Sequence, residues 1–168
     1  EAATHVALLW QPVIKVDDES VKGSGIEADA DFFKVFPQYR IVEGSVEDFV
    51  GQKDVLISES FARLINKGEE SLIGSVIKVN DSDRTIKGVF ADFDRSFFMP
   101  ANIITHISDT WAVSQIEYKF NSIGSYSTWY RIREDANPAD VEAKVKALLH
   151  KNYDSSWQAD RVDKWHPY

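Results

Sequence analysis

A chain of 168 residues suffices for one domain or two closely joined subdomains, and 43% hydrophobic with 27% charged residues is ordinary for a folded core. A net charge of −8 argues against an extended phosphate-binding surface, so no nucleic-acid partner is expected. The absence of Cys excludes disulfides, thiolate catalysis and Cys-based zinc sites together, but leaves the compartment open.

Residues 6–16 read as a strand, with Pro12 arguing for an edge or a bulge, and residues 21–30 read as its returning partner in a hairpin. Asp29 or Asp31 can cap a helical turn through Phe32, Phe33 and Val35, which Pro37 ends. Residues 39–44 are a short extended piece, and Ser45 begins another turn with Glu47 and Asp48 near its start.

The stretch from Asp54 to Gly68 organises the chain. Asp54 to Ile57 is a short apolar run with β-branched residues and reads as a buried strand. Ser58 follows as an N-cap, Glu59 suits the helix dipole, and Phe61, Leu64 and Ile65 offer an apolar face that Gly68 ends. Ser58 lacks the Gly-x-Ser-x-Gly elbow and a neighbouring base, so it is not read as a nucleophile.

Residues 75–80 and 84–90 form the clearest hairpin, joined by a four-residue turn over Asn80 to Asp83. Ile77 and Val79 share one face of it; Ile86, Gly88 and Phe90 share one face of the return. A loop with Phe93, Phe97 and Phe98 precedes a strand at 101–107. Residues 108–120 fit neither period, and 126–133 alternates well. Asn137, Pro138 and Asp140 open the strongest helix, with Val141, Val145, Leu148 and Leu149 as its stripe. One more strand and a tail are expected within 153–168.

Chemistry-bearing patterns are sparse. His5, His106, His150 and His166 are scattered without zinc spacing. Asp81, Asp83 and Thr85 resemble the start of a calcium loop, but Ile86 stands where Gly is required. Asp92 and Asp94 could ligate a divalent ion or flank a glycosidic bond, yet no second carboxylate pair is placeable. No Gly-x-Gly-x-x-Gly or Walker motif occurs, and the sequon at Asn80 is explained by a polar turn. No metal and no cofactor are therefore expected. Five Trp residues exceed what such a core needs, so an aromatic partner-contact patch is expected. The candidates are Trp10, Trp111 and Tyr118, which lie in edge-like or irregular stretches.

An ordered set of these segments resembles a known family. It comprises Asp31-Phe32-Phe33-Lys34-Val35-Phe36, Glu43-Gly44, Asp54 through Ser60 with Ala62, Ile73-Gly74, and Thr85-Ile86-Lys87-Gly88-Val89. In order and spacing across about residues 25–105 it resembles the MacB-like periplasmic core domain of FtsX-like ABC permeases, of the kind found in Bacteroidetes. The fold is expected to be α+β, with two sheets, mixed or antiparallel, and a few short helices. The resemblance implies two subdomains, a porter-like part at 1–28 and 98–168 and a sabre-like part at 29–97. The family's strand and helix ahead of position 1 are missing, so the porter-like part is expected to be incomplete.

The resemblance further implies an extracytoplasmic domain between two transmembrane helices. ATP hydrolysis on a separate domain or subunit would move it, so the chain itself is expected not to be an enzyme. Its implied partners are that ATP-binding part and a periplasmic adaptor, lipoprotein carrier or cell-wall hydrolase activator, in a dimeric full-length protein. The apolar runs are far shorter than the ~18 residues that span a bilayer. With Glu1 first and Met99 the only Met, membrane anchors are expected outside this fragment. Two alternatives stay open: a free-standing extracytoplasmic module binding peptide or lipid, and a hydrolase using loop carboxylates.

Overall fold

The computed structural model describes residues 2–9, 11–17, 19–92, 101–107 and 126–152. The chain begins with one long hairpin, interrupted halfway. Strands β1 (Ala2–Leu9) and β2 (Val13–Val16) run out; β3 (Glu19–Lys22) and β4 (Gly25–Ala28) run back. The legs pair from Val6 with Ala28 to Leu9 with Gly25, and again from Val13 with Lys22 to Val16 with Glu19. Leu9 and Val13 are four positions apart where their partners Gly25 and Lys22 are three apart, so the register shifts by one residue and the outgoing leg bulges. Pro12, which has no amide to give a ladder, sits in that bulge and accepts from the Gly23 amide at 3.1 Å.

Six further strands complete a ten-stranded sheet: β5 (Ile41–Gly44), β6 (Asp54–Ser58), β7 (Val76–Val79), β8 (Ser82–Phe90), β9 (Ile103–His106) and β10 (Tyr126–Arg131). Their order is β10-β1-β4-β9-β6-β8-β7-β2-β3, with β5 beside the far end of β8. Among the described strands only β4/β9 and β6/β8 pair in parallel. Because β1 continues into β2 and β3 into β4, the hairpin joins both ends of the β9-β6-β8-β7 series, and the pairings close a ring. The fold is α+β with a mostly antiparallel sheet and few helices. The expectation of two sheets is corrected: among the described residues one hydrogen-bonded path runs through nine strands and β5 joins it at β8, so all ten form one sheet. The bulge causes this, since it lets the two halves of one hairpin serve opposite ends of the path.

β6 reads as an unbroken apolar run because both of its faces are covered. Val55 and Ile57 pack with Ile14, Ile77, Val79, Ile86 and Ile103 and with Phe61 and Ile65 of helix α2 (Glu59–Ile65). Leu56 points the other way, to Val6, Ile26, Phe49, Phe90 and Ile104. That second core is closed by helix α1 (Phe32–Val35), whose Phe32 ring lies 5.4 Å from Phe33, 4.9 Å from Phe36 and 5.3 Å from Tyr39. Trp129 of β10 meets Phe36 edge-on at 5.6 Å.

Two expectations about faces fail locally. Leu64 is 64% exposed. At about 100° per residue, Phe61, Ile65 and Ala62 fill one arc, and Leu64 falls about 110° from its centre. Ile86 and Phe90 do not share a face; they belong to opposite cores. The β6/β8 register shifts between Val55 and Leu56, where the partner advances from Ile86 to Gly88, and the alternation reverses across that irregularity. Leu8 is also exposed although Val6 is buried.

Helix α3 (Pro138–Asn152) starts where the Asn-Pro pair predicts: Asn137 Oδ1 accepts from the Ala139 amide at 3.0 Å. The expectations for 108–120 and 153–168 lie outside the described residues. Among the described residues no helix is long and apolar enough to cross a membrane.

Candidate functional site

The three aromatic contact candidates, Trp10, Trp111 and Tyr118, all lie outside the described residues. A concave site does form elsewhere, between α2 and β5, and its walls follow from local chemistry. Ser58 is extended at the end of β6, and its Oγ accepts from the Phe61 amide at 3.2 Å. That is the capping role the sequence predicts. Asp92, beyond β8, completes the helix start: Oδ1 accepts from the Ser60 amide at 2.9 Å, and Oδ2 meets Arg63 Nη2 at 3.1 Å. Burial would raise the Asp92 pKa, but the Ser60 bonds and the Arg63 charge together hold it below the usual carboxylate value. Asp92 is thus committed to the helix, and Asp94 is outside the described residues.

At the other end of α2 the stop falls at Asn66, not at Gly68. Asn66 Oδ1 accepts from the Gly68 and Glu69 amides at 2.7 and 2.8 Å, and its Nδ2 donates to the Glu69 carbonyl at 3.0 Å. This fixes the loop that returns to β7. Ser71 donates to Glu43 of β5, so loop and strand are joined. Between them lies a groove of about 370 Å³. Ala62, Leu72 and Val89 form its apolar floor, and Val42, 41% exposed, stands on the β5 side. Glu43, Glu59 and Glu70 line its rim; Arg63, the cation there, is engaged by Asp92.

Several charged groups outside the groove serve the fold. Asp29 Oδ1 accepts from Thr4 Oγ1 at 2.7 Å and from the Asp31 amide at 3.0 Å; Oδ2 accepts from the His5 amide at 3.2 Å. Burial opposes its ionisation, but the His5 side chain, the Thr4 hydroxyl and the His5 amide overcome it, so its pKa lies below the usual value. Asp31 makes no side-chain cap to α1 and instead pairs with Lys34 at 2.6 Å. The Asp81 and Asp83 carboxylates pair with Lys15 and Lys78 at 2.5 and 2.6 Å. The turn there is two residues, not four: Asn80 and Asp81 take φ of 48° and 65°, and Val79 pairs with Ser82. Both central residues in the left-handed region make the tight hairpin turn that Asn and Asp tolerate. Among the described residues no three His, Asp or Glu side chains are placed to hold a metal ion.

Over residues 2–148 the sequence matches the MacB-like periplasmic core domain. The chain belongs to that family. Solved structures share its fold. A domain assigned to a permease from Porphyromonas gingivalis matches with a TM-score of 0.79 at 21% identity, covering 93% of this chain and 72% of that one. The periplasmic region of MacB from Actinobacillus actinomycetemcomitans matches at 0.64 and 18% identity, over 99% and 78% of the two chains. The extracellular domain of the noncanonic ABC-type transporter YknZ from Gram-positive bacteria matches at 0.61 and 13% identity, over 90% and 75%. No curated protein matches.

Sequence reasoning did not find the groove of this MacB-like domain. Glu59 reads as a favourable first-turn charge and Val42 as one residue of a short strand, and nothing in the sequence singles out Glu70. Their convergence depends on β5 joining β8 antiparallel, a pairing between segments more than 40 residues apart that no local pattern encodes.

Proposed function

We propose that this periplasmic domain of a MacB/FtsX-like ABC permease is a mechanical relay. ATP hydrolysis on a separate partner would move the membrane helices, and the domain would carry that motion to a periplasmic protein. One observation supports the reading above others. The hairpin β1–β4 bonds to β10, near the end of the described chain, and through β2 to β7, in its middle. A displacement imposed at the chain's ends therefore has a hydrogen-bonded route into the rest of the domain.

In this reading 1–28 and 98–168 form the porter-like part and 29–97 the sabre-like part. They work as a unit, because β2 pairs with β7 and β9 sits between β4 and β6. The partner would be an adaptor, a lipoprotein carrier or a cell-wall hydrolase activator, met through Trp10, Trp111 or Tyr118. Aromatic anchors supply large contact area with few torsions to freeze.

The test uses the full-length dimeric permease in membranes. This segment has no Cys, so Val50→Cys, on a side chain 71% exposed, places one spin label per copy without a competing thiol here. The distance between the two labels should shift between nucleotide-free and ATP-bound states. An unchanged distance distribution, with ATPase activity intact, would overturn the relay.

A further inference from the structure

We propose that the groove between α2 and β5 is a docking site for a basic, amphipathic peptide segment of a partner protein. The segment would place an apolar side chain on the floor and Lys or Arg side chains at the rim. This inference identifies a surface independent of ATP coupling, so it stands or falls apart from the relay.

Three features carry it. First, the groove is built rather than left over: the Asn66 bonds hold its loop and the Ser71–Glu43 bond ties that loop to β5. Second, its volume of about 370 Å³ falls in the range of pockets that take a small ligand or anchoring side chains, about 300–1,000 Å³. Its floor of Ala62, Leu72 and Val89 is apolar, with Val42 exposed beside it. Third, the charge is in acidic excess. Glu43, Glu59 and Glu70 line the groove against one cation, Arg63, which is bound to Asp92 at 3.1 Å. A carboxylate rim over an apolar floor complements a cationic segment with an apolar anchor and repels an acidic one. An apolar side chain alone would leave the rim unused, and a polyamine would leave the floor unused.

The experiment titrates the 168-residue chain with the peptide Lys-Leu-Lys-Lys-Leu-Lys, followed by nuclear magnetic resonance and calorimetry. Controls are Lys-Ser-Lys-Lys-Ser-Lys, Glu-Leu-Glu-Glu-Leu-Glu and spermine. The Leu-Lys peptide should bind with shifts centred on Val42, Ala62, Glu70 and Leu72, and more weakly as salt rises. The double variant Glu59→Gln, Glu70→Gln should weaken it about three- to tenfold, the scale of two exposed charge pairs. Val42→Arg, at an exposed position, should weaken it further by placing a cation in the groove. Thermal melting of each variant separates lost binding from lost folding. The proposal is overturned if the Leu-Lys peptide does not bind. Equal binding of the Ser-Lys peptide or spermine also overturns it, because that is attraction to a net-acidic chain. So does Leu-Lys binding that both folded variants leave unchanged.

Discussion

Asp92 accepts the Ser60 amide at 2.9 Å, so a residue beyond β8 supplies one cap of α2 while Ser58 supplies the other. A seven-residue helix is too short to be stable by propensity, and one local and one tertiary cap substitute for length. Asp92→Ala should lower stability by about 1 kcal/mol, the usual worth of a capping acceptor. Asp92→Asn should recover part of it, since an amide oxygen still accepts. Equal loss in both variants, measured by denaturant titration, would assign the effect to the Arg63 charge rather than the cap.

Phe61 and Leu64 make a paired prediction on the same helix. Phe61 is 3% exposed against the β6/β8 core, and Leu64 is 64% exposed. Phe61→Ala should cost about 3–5 kcal/mol, and Leu64→Ala should stay within about 0.5 kcal/mol of the parent. Comparable losses at the two sites would mean that α2 is rotated from the orientation described.

How far the sequence reached differs by scale. Single elements with their own chemistry were legible: the Ser58 cap, the Asn137-Pro138 start, the β7/β8 hairpin and the β6 run all stand where their residues place them. Features set by registers between distant segments were not. Gly88 in the β6/β8 irregularity sends Ile86 and Phe90 to different cores, and Pro12 in the hairpin bulge turns two expected sheets into one path. The groove escaped for the same reason, being assembled from α2, β5 and a loop whose separate sequences are unremarkable. The family resemblance held where local reading ran out, because an ordered set of segments is more specific than any single one.

His106 of β9 gives a pH prediction. Its ring lies against Phe49, edge-on at 5.0 Å, and burial lowers its pKa although Asp29 and Asp54 pull the other way. A folded-state value below the unfolded one, near 6.5, means the unfolded chain takes up the proton first as pH falls. The stabilisation is therefore complete above pH about 6.5 and lost below it. Asp29, also depressed, adds loss in the same direction only near the lower carboxylate range. The melting temperature should fall from pH 7 to 5, and His106→Gln should flatten that fall. A slope unchanged by the substitution would place the titration elsewhere.

Gly44 makes the sharpest backbone prediction. It ends β5 at φ 79°, a region an L side chain rarely adopts, and a Cβ there would run into the Lys87 carbonyl and lie 2.9 Å from the Gly88 Cα. Those atoms belong to β8 and cannot move without opening the β5 ladder. Gly44→Ala should therefore cost more than about 1 kcal/mol, combining the backbone strain with the clash. The loss should be localised: amides of residues 41–45 and 87–90 should exchange faster, while the β1/β4 ladder keeps its protection. Gly68 is the control, since it also takes positive φ, 105°, but has nothing within 4 Å of an added Cβ. Gly68→Ala should show the strain without the clash, and so destabilise less. Equal costs at the two positions would show that φ alone matters and that β5 yields freely to the new methyl group.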